Sequence, residues 1–326
     1  MKIKNLKIFD GQHCETTTTG TLLKNIDIDL SEAMLFGLGE GLGFIFWNMK
    51  TMDCPFIGGR IKQDLLTQNI AKNLNLELIV KETASKEKAW NNVKELIDNG
   101  KIVGLKLDCY HLEYFSVPFH FAGHYVAIYD YDDNYSFLID TKQQGGKVKT
   151  SLKSLALARA EKGSMSSKNL YYTISKTNKE FDLKNIIINA IKNNAKDYIN
   201  PPISNIGYKG ILKTSSEIIK WFKNSKNIEN EFKTTAMMME KAGTGGSLFR
   251  NFYRDFLKES YDLLGFNELK LGYEEFIEIA KLWNNVSDLF EKVSETQDFK
   301  YIQEASDILK IISLKEKNVM EMLEKI

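Results

Sequence analysis

The sequence predicts an α+β fold, with a mixed first region over residues 1–176 and an all-α region over residues 177–326. Short strand-like runs alternate with helical segments up to Ser175, and beyond it every segment is helical in period and rich in lysine. The four prolines, Pro55, Pro118, Pro201 and Pro202, leave nothing after residue 202 interrupted by a helix breaker. A chain of 326 residues, 43% hydrophobic, is long enough for two ordinary cores.

The elements follow in order. Gly11 reads as a turn leading into a helix that starts near Cys14. Residues 33–49 form the most hydrophobic window, but it is too short to span a bilayer and contains Glu40 and four glycines. It reads as a buried glycine-rich segment. Residues 63–73 look helical, and 74–80 begin with the alternation of a short strand. Over 86–99, Trp90, Val93 and Ile97 fall on one helical face, and Gly100 ends the helix. Residues 102–107 read as a buried strand. The runs 125–131 and 136–140 read as two strands of a hairpin, joined by turn chemistry at Asp132, Asp133 and Asn134. Residues 171–175 give one last strand. Helical periodicity then marks 183–196, 214–224, 228–241, 247–264, 272–292 and 297–325. Such helices bury an apolar stripe against one another, which predicts a bundle.

Composition narrows the function. With 44 basic and 43 acidic residues the net charge is +1, which gives no drive toward nucleic acid or an anionic membrane. Three cysteines and no apolar leader argue against a disulfide framework. A cytoplasmic location is expected.

The chemistry centres on Cys14, in Gly11-Gln12-His13-Cys14-Glu15. A thiol at a helix N-terminus feels the free N–H groups and positive dipole end, which favour the thiolate that attacks an acyl carbon. Alternatively, Cys14 is a small buried apolar residue. The second element is His124, at the mouth of the strand Tyr125-Val126-Ala127-Ile128-Tyr129 and beside Gly123. The third is Asp140, which ends the partner strand. A turn near Asn134 would carry His124 and Asp140 to one open end, where the imidazole meets the acid with one nitrogen and Cys14 with the other. The competing reading makes His124 a strand cap and Asp140 part of a surface turn. Cys54 and Cys109 read as core residues. Cys109, His111, His120 and His124 are close in sequence, but zinc would need His120 and His124 on a helix, and the segment reads as loop into strand. No metal and no cofactor are expected.

Cys, His and Asp in this order, with the histidine in G-H-Y-V-x-I-Y-x-Y-D-D, resemble papain-like folds of the C39 peptidase type. The sequence more closely resembles the butirosin biosynthesis protein H family, over nearly the whole chain. Residues 11–14 resemble its nucleophile motif, residues 36–44 its glycine-rich segment, and Gly58-Gly59-Arg60 its next landmark. Residues 107–114, Leu-Asp-Cys-Tyr-His-Leu-Glu-Tyr, resemble a D-x-Y-Y-L-P-Y motif, with His111 and Glu113 at its variable places. In the helical half, Asn205 to Gly210 and Gly243-Thr244-Gly245-Gly246-Ser247-Leu248-Phe249-Arg250 resemble the second domain's landmarks.

The resemblance implies a papain-like catalytic domain followed by a helical domain. It implies acyl transfer from a carrier-protein thioester to Cys14 and then to a small amine, forming an amide in a natural-product pathway. A hydrolase, either peptidase or thioesterase, would use the same three residues, and a non-catalytic binding module would keep the fold. Papain-type enzymes place an oxyanion glutamine further ahead of the cysteine than Gln12, the nearby glutamine here, which stands two residues before it, so the Cys14 N–H is the preferred donor and Gln12 the alternative. Arg250 follows a glycine loop that would let a ligand approach the backbone, or it pairs with a local acid such as Asp255. Asp108 and Glu40 either bind the acceptor amine or are structural acids. Met237-Met238-Met239 reads as core. An exposed apolar stripe in the helical half would suit a homodimer.

Overall fold

In the computed structural model, eleven α-helices and eight strands follow one another along the described residues: 3, 5–49, 52, 54–163, 166–240 and 246–326. Mixed α and β elements with antiparallel sheets make this an α+β chain. It divides into two units. The first comprises Met1–Leu35 and Gln63–Phe181, and the second Phe36–Lys62 and Asp182–Ile326.

The first unit is built on a six-stranded sheet of order β3-β8-β4-β5-β6-β7, from β3 (Glu77–Lys81), β4 (Val103–Leu107), β5 (His124–Tyr131), β6 (Tyr135–Ile139), β7 (Lys147–Ser151) and β8 (Tyr171–Ser175). Every pairing is antiparallel. The hairpin β5–β6 turns where expected, because Asp132 Oδ1 accepts the N–H groups of Asn134 at 2.8 Å and Tyr135 at 2.7 Å. On one face, α4 (Lys86–Asp98) and α5 (Leu152–Ala160) bury Val93, Ile97, Leu155 and Ala158 against Leu105, Leu107, Val126 and Leu138. Helix α1 (Cys14–Lys24) packs against β5.

α1 carries a run of threonines and no apolar stripe because it is buried continuously from Glu15 to Leu23. Buried hydroxyls are costly unless bonded; among the described residues those of Thr17 and Thr18 have no hydrogen-bond partner, while others of the run are bonded. Thr21 Oγ1 donates to Thr17 O at 2.8 Å, and Thr19 Oγ1 meets Thr67 Oγ1 at 2.8 Å and Tyr172 Oη at 3.0 Å. Glu15, also buried, accepts from the N–H and hydroxyl of Thr67, which fixes α1 to α3 (Leu65–Asn73).

The second unit joins a hairpin, β1 (Leu42–Trp47) and β2 (Phe56–Arg60), to six helices: α6 (Leu183–Ile199), α7 (Gly207–Asn224), α8 (Ile228–Glu240), α9 (Ser247–Leu264), α10 (Asn267–Thr296) and α11 (Phe299–Leu323). The chain leaves the first unit within α2 (Glu32–Leu38). The glycine-rich segment builds this unit's core. The Phe256 ring lies so close to Gly37 that a Cβ there would fall 2.1 Å from it. Phe36 stacks on Phe249 with centroids 5.4 Å apart, and Phe44 stacks on Trp283 at 5.6 Å. The landmark at Asn205 is structural too, since its side chain donates to Phe46 O at 2.7 Å and its carbonyl accepts from Phe46 N–H.

At the centre of this unit Arg250 is fully buried. Its Nε and Nη2 each reach Glu316 at 2.9 Å, and Nη1 donates to Gly59 O at 3.0 Å. Trp283 Nε1 and the Tyr198 hydroxyl complete the shell around Glu316. Breaking one partner of such a pair strands the other charge in a dry core. Arg250→Ala should therefore lose about 3–5 kcal/mol of stability. The double variant Arg250→Met with Glu316→Leu should recover part of that loss. Urea unfolding of the full chain, followed by tryptophan fluorescence, checks both.

Candidate active site

Gly11 sets the entry to α1, because a Cβ there would fall 2.4 Å from Thr17 Oγ1 and 3.0 Å from Glu32 Oε1. That close approach lets one carboxylate tie down the loop. Glu32 accepts from Gln12 N–H at 2.9 Å, His13 N–H at 2.9 Å and Thr16 Oγ1 at 2.7 Å. Burial raises the Glu32 carboxyl against the opposing pull of these donors. Cys14 is then the first residue of α1 and half-buried, with its thiol at the end of the helix where backbone N–H groups point outward.

His124 and Asp140 come from adjacent strands, His124 opening β5 and Asp140 following the last residue of β6. His124 Nε2 and Asp140 Oδ2 are 2.8 Å apart, and both side chains are buried. The other carboxylate oxygen accepts from Thr141 N–H at 2.6 Å, and Asp140 N–H donates to Gly146 O at 2.8 Å. The Gly11 loop joins the same end of the hairpin, since Lys142 N–H donates to Gly11 O at 3.0 Å.

Burial opposes a charged imidazole at His124, but Asp140, Cys109 and Cys14 together outweigh it and raise its pKa well above the ordinary 6.5. With Nε2 engaged by Asp140, Nδ1 is the nitrogen left for a thiol. Cys109 lies within hydrogen-bonding reach of His124 and is buried, and burial raises its thiol pKa. The charge of both thiols therefore acts on one imidazole. Cys109 is a core residue, as its strand-end position suggests, but its contact with His124 has no local signal in the sequence. Of the two, Cys14 is the one that solvent reaches.

The remaining candidates fall elsewhere. Gln12 is exposed, and its N–H is taken by Glu32. Asp108 is buried and caps the 3₁₀ turn at Cys109–His111 through Tyr110 N–H at 2.8 Å, which is the structural alternative for that acid. Glu40 lies in the second unit and accepts from Asn193 Nδ2 at 3.1 Å. Arg250 is a core residue rather than a ligand contact, and its partner is Glu316 rather than Asp255. The loop ahead of it falls at residues 241–245 outside the described residues. His111 pairs with Glu161 at 2.6 Å, while His120 stacks on Tyr110 at 4.0 Å between centroids. Among the described residues no group of three or more His, Cys, Asp or Glu side chains could hold a metal ion. Among the same residues no helix is long and apolar enough to cross a membrane.

Two family models match the chain. One, described as "Butirosin biosynthesis protein H, N-terminal", covers residues 13–141 and so includes Cys14, His124 and Asp140. The other, described as "Domain of unknown function (DUF4872)", covers residues 153–323. No curated protein matches the chain.

The raised pKa of His124 has a signed consequence. Because the fold favours the imidazolium, its stabilising contribution is complete below the ordinary pKa and is lost as pH rises through the folded one. The wild type should lose urea resistance on going from neutral to alkaline pH. Asp140→Asn, which removes the charge holding the imidazolium, should flatten that dependence, and parallel urea titrations across pH check it.

Proposed function

The chain belongs to the butirosin biosynthesis protein H family, and on that premise we propose that it is a cysteine-dependent acyltransferase that forms amide bonds. Cys14 is the nucleophile, His124 the acid and base, and Asp140 the residue that orients the histidine. The observation that carries this reading is the buried His124–Asp140 pair beside a half-buried cysteine on the first residue of a helix. A helix-borne cysteine, a histidine opening an antiparallel strand and an acid on the neighbouring strand support a papain-like catalytic arrangement. The family's name points to antibiotic biosynthesis, which supports a natural-product substrate over a protein one.

The acyl donor is a thioester on a carrier protein. In the first half-reaction the Cys14 thiolate attacks the thioester carbonyl carbon, and the tetrahedral intermediate expels the carrier's sulfur. That sulfur takes the proton from the His124 imidazolium and leaves as a thiol. In the second half-reaction a small amine attacks the acyl-Cys14 carbonyl and gives a proton to the now neutral His124. The carbon–sulfur bond breaks, the amide departs, and the thiolate–imidazolium pair is restored.

The Cys14 N–H is the first donor for the oxyanion, because the N–H groups of Gln12 and His13 are committed to Glu32. The Gln12 amide is a second donor. Gln12→Ala should cost less than 10-fold in kcat, roughly, if the backbone carries most of the stabilisation.

The test is intact-protein mass spectrometry after incubation with acyl-thioesters. Wild type should gain one acyl group that amines discharge as an amide, and Cys14→Ala should gain none while unfolding at the same urea concentration. Turnover undiminished in Cys14→Ala would sink the mechanism. His124→Ala should match Cys14→Ala in turnover, while Asp140→Asn should keep more, because an amide still holds the ring.

A further inference from the structure

Asp140 holds more than the histidine. Tyr114 Oη donates to Asp140 Oδ2 at 2.8 Å, onto the same oxygen that meets His124 Nε2 at 2.8 Å. Burial, and then the Asp140 charge beside it, push the Tyr114 hydroxyl well above its ordinary pKa, so it stays a protonated donor. The next residue, Phe115, sets its ring edge-on to the imidazole, with centroids 5.5 Å apart and planes at 89°.

Neighbours other than Asp140 fix the position of Tyr114. The Glu113 carboxylate accepts from Ser151 N–H at 2.7 Å, Ser151 Oγ at 2.8 Å and Thr150 Oγ1 at 3.2 Å. The Ser154 hydroxyl donates to the His111 carbonyl. Leu112 N–H donates to Cys109 O at 3.0 Å, and Phe115 N–H to Leu112 O at 3.1 Å. The segment 108–115 is thus stapled to β7 and α5, and it presents Tyr114 to the carboxylate.

We propose that Tyr114 is a positioning residue that sets how firmly Asp140 holds the His124 imidazolium. Two donors on one oxygen share its charge, so a hydroxyl on Oδ2 weakens the pull felt by the imidazole. The imidazolium then gives up its proton more readily to a leaving sulfur. The inference rests on the reading of Cys14 and His124 as the reacting pair. The titratable groups acting on His124 are Asp140 after β6, Cys109 in the 3₁₀ turn and Cys14 on α1, and Tyr114 acts through Asp140.

Two readouts test it on the full chain. One is the titration of the His124 imidazole, followed by NMR of nitrogen-labelled histidine and assigned with His124→Gln. The other is the pH dependence of Cys14 alkylation by chloroacetate, an anion that the imidazolium attracts, so the rate falls when His124 deprotonates. In Tyr114→Phe both should move to higher pH by about half a unit. Site-specific replacement of Tyr114 by 3-fluorotyrosine, a stronger donor of nearly the same shape, should move both to lower pH and guards against a folding defect in the phenylalanine variant. An imidazole titration unmoved by both changes at Tyr114 would overturn the proposal and leave the residue a packing role. If wild-type Cys14 alkylation shows no fall on His124 deprotonation, the pairing of Cys14 with His124 fails instead, and the NMR titration still decides Tyr114.

Discussion

A carboxylate with no exposed surface must have its charge and lone pairs met from within the fold, and Asp140 meets that constraint with three donors: His124, Tyr114 and Thr141 N–H. Much of the first unit can be read as the means of delivering them. The hairpin turn at Asp132 aligns β5 with β6, so that His124 opens one strand as Asp140 leaves the other. The Glu113 contacts hold the segment that carries Tyr114 against β7. The Gly11 loop is bonded to the same hairpin end through Lys142.

Glu32 plays the matching part for the cysteine. Its carboxylate gathers two consecutive N–H groups just ahead of α1 and the Thr16 hydroxyl in the first turn of α1, so the loop holds one shape without a side-chain cap from His13. The strand-borne pair and the helix-borne thiol are thus each fixed by an acid, Asp140 fully buried and Glu32 half-buried. Neither acid belongs to the segment that carries the sulfur.

What local pattern encodes, the sequence made legible. The β5–β6 hairpin could be read because alternation and turn residues are local, and the six helices of the second unit because their apolar stripes have one period. The strand β7 and helix α5 were not seen. β7 is an edge strand, Lys-Val-Lys-Thr-Ser, and its exposed lysines mask the run as loop while protecting the edge from further pairing. Contacts distant in sequence were invisible for a different reason. Arg250 follows a glycine loop, which reads as a ligand approach, yet its partner Glu316 is 66 residues away. Tyr114 lies 26 residues from Asp140, and no periodicity links them. The hairpin at 42–60 groups with helices that begin more than a hundred residues later, and no local composition marks that.

The place of β8 in the sheet bears on how the chain is made. β8 is the last strand in the sequence, yet it lies between β3 and β4, pairing with both. Until residues 171–175 leave the ribosome, β3 has no partner in this sheet and β4 keeps one edge open. Over half of the polypeptide is therefore synthesised before the first unit can close, and two unsatisfied edges wait in the meantime. Open edges of this kind invite pairing with other chains, and a premature stop before Tyr171 would yield a sheet lacking its keystone strand.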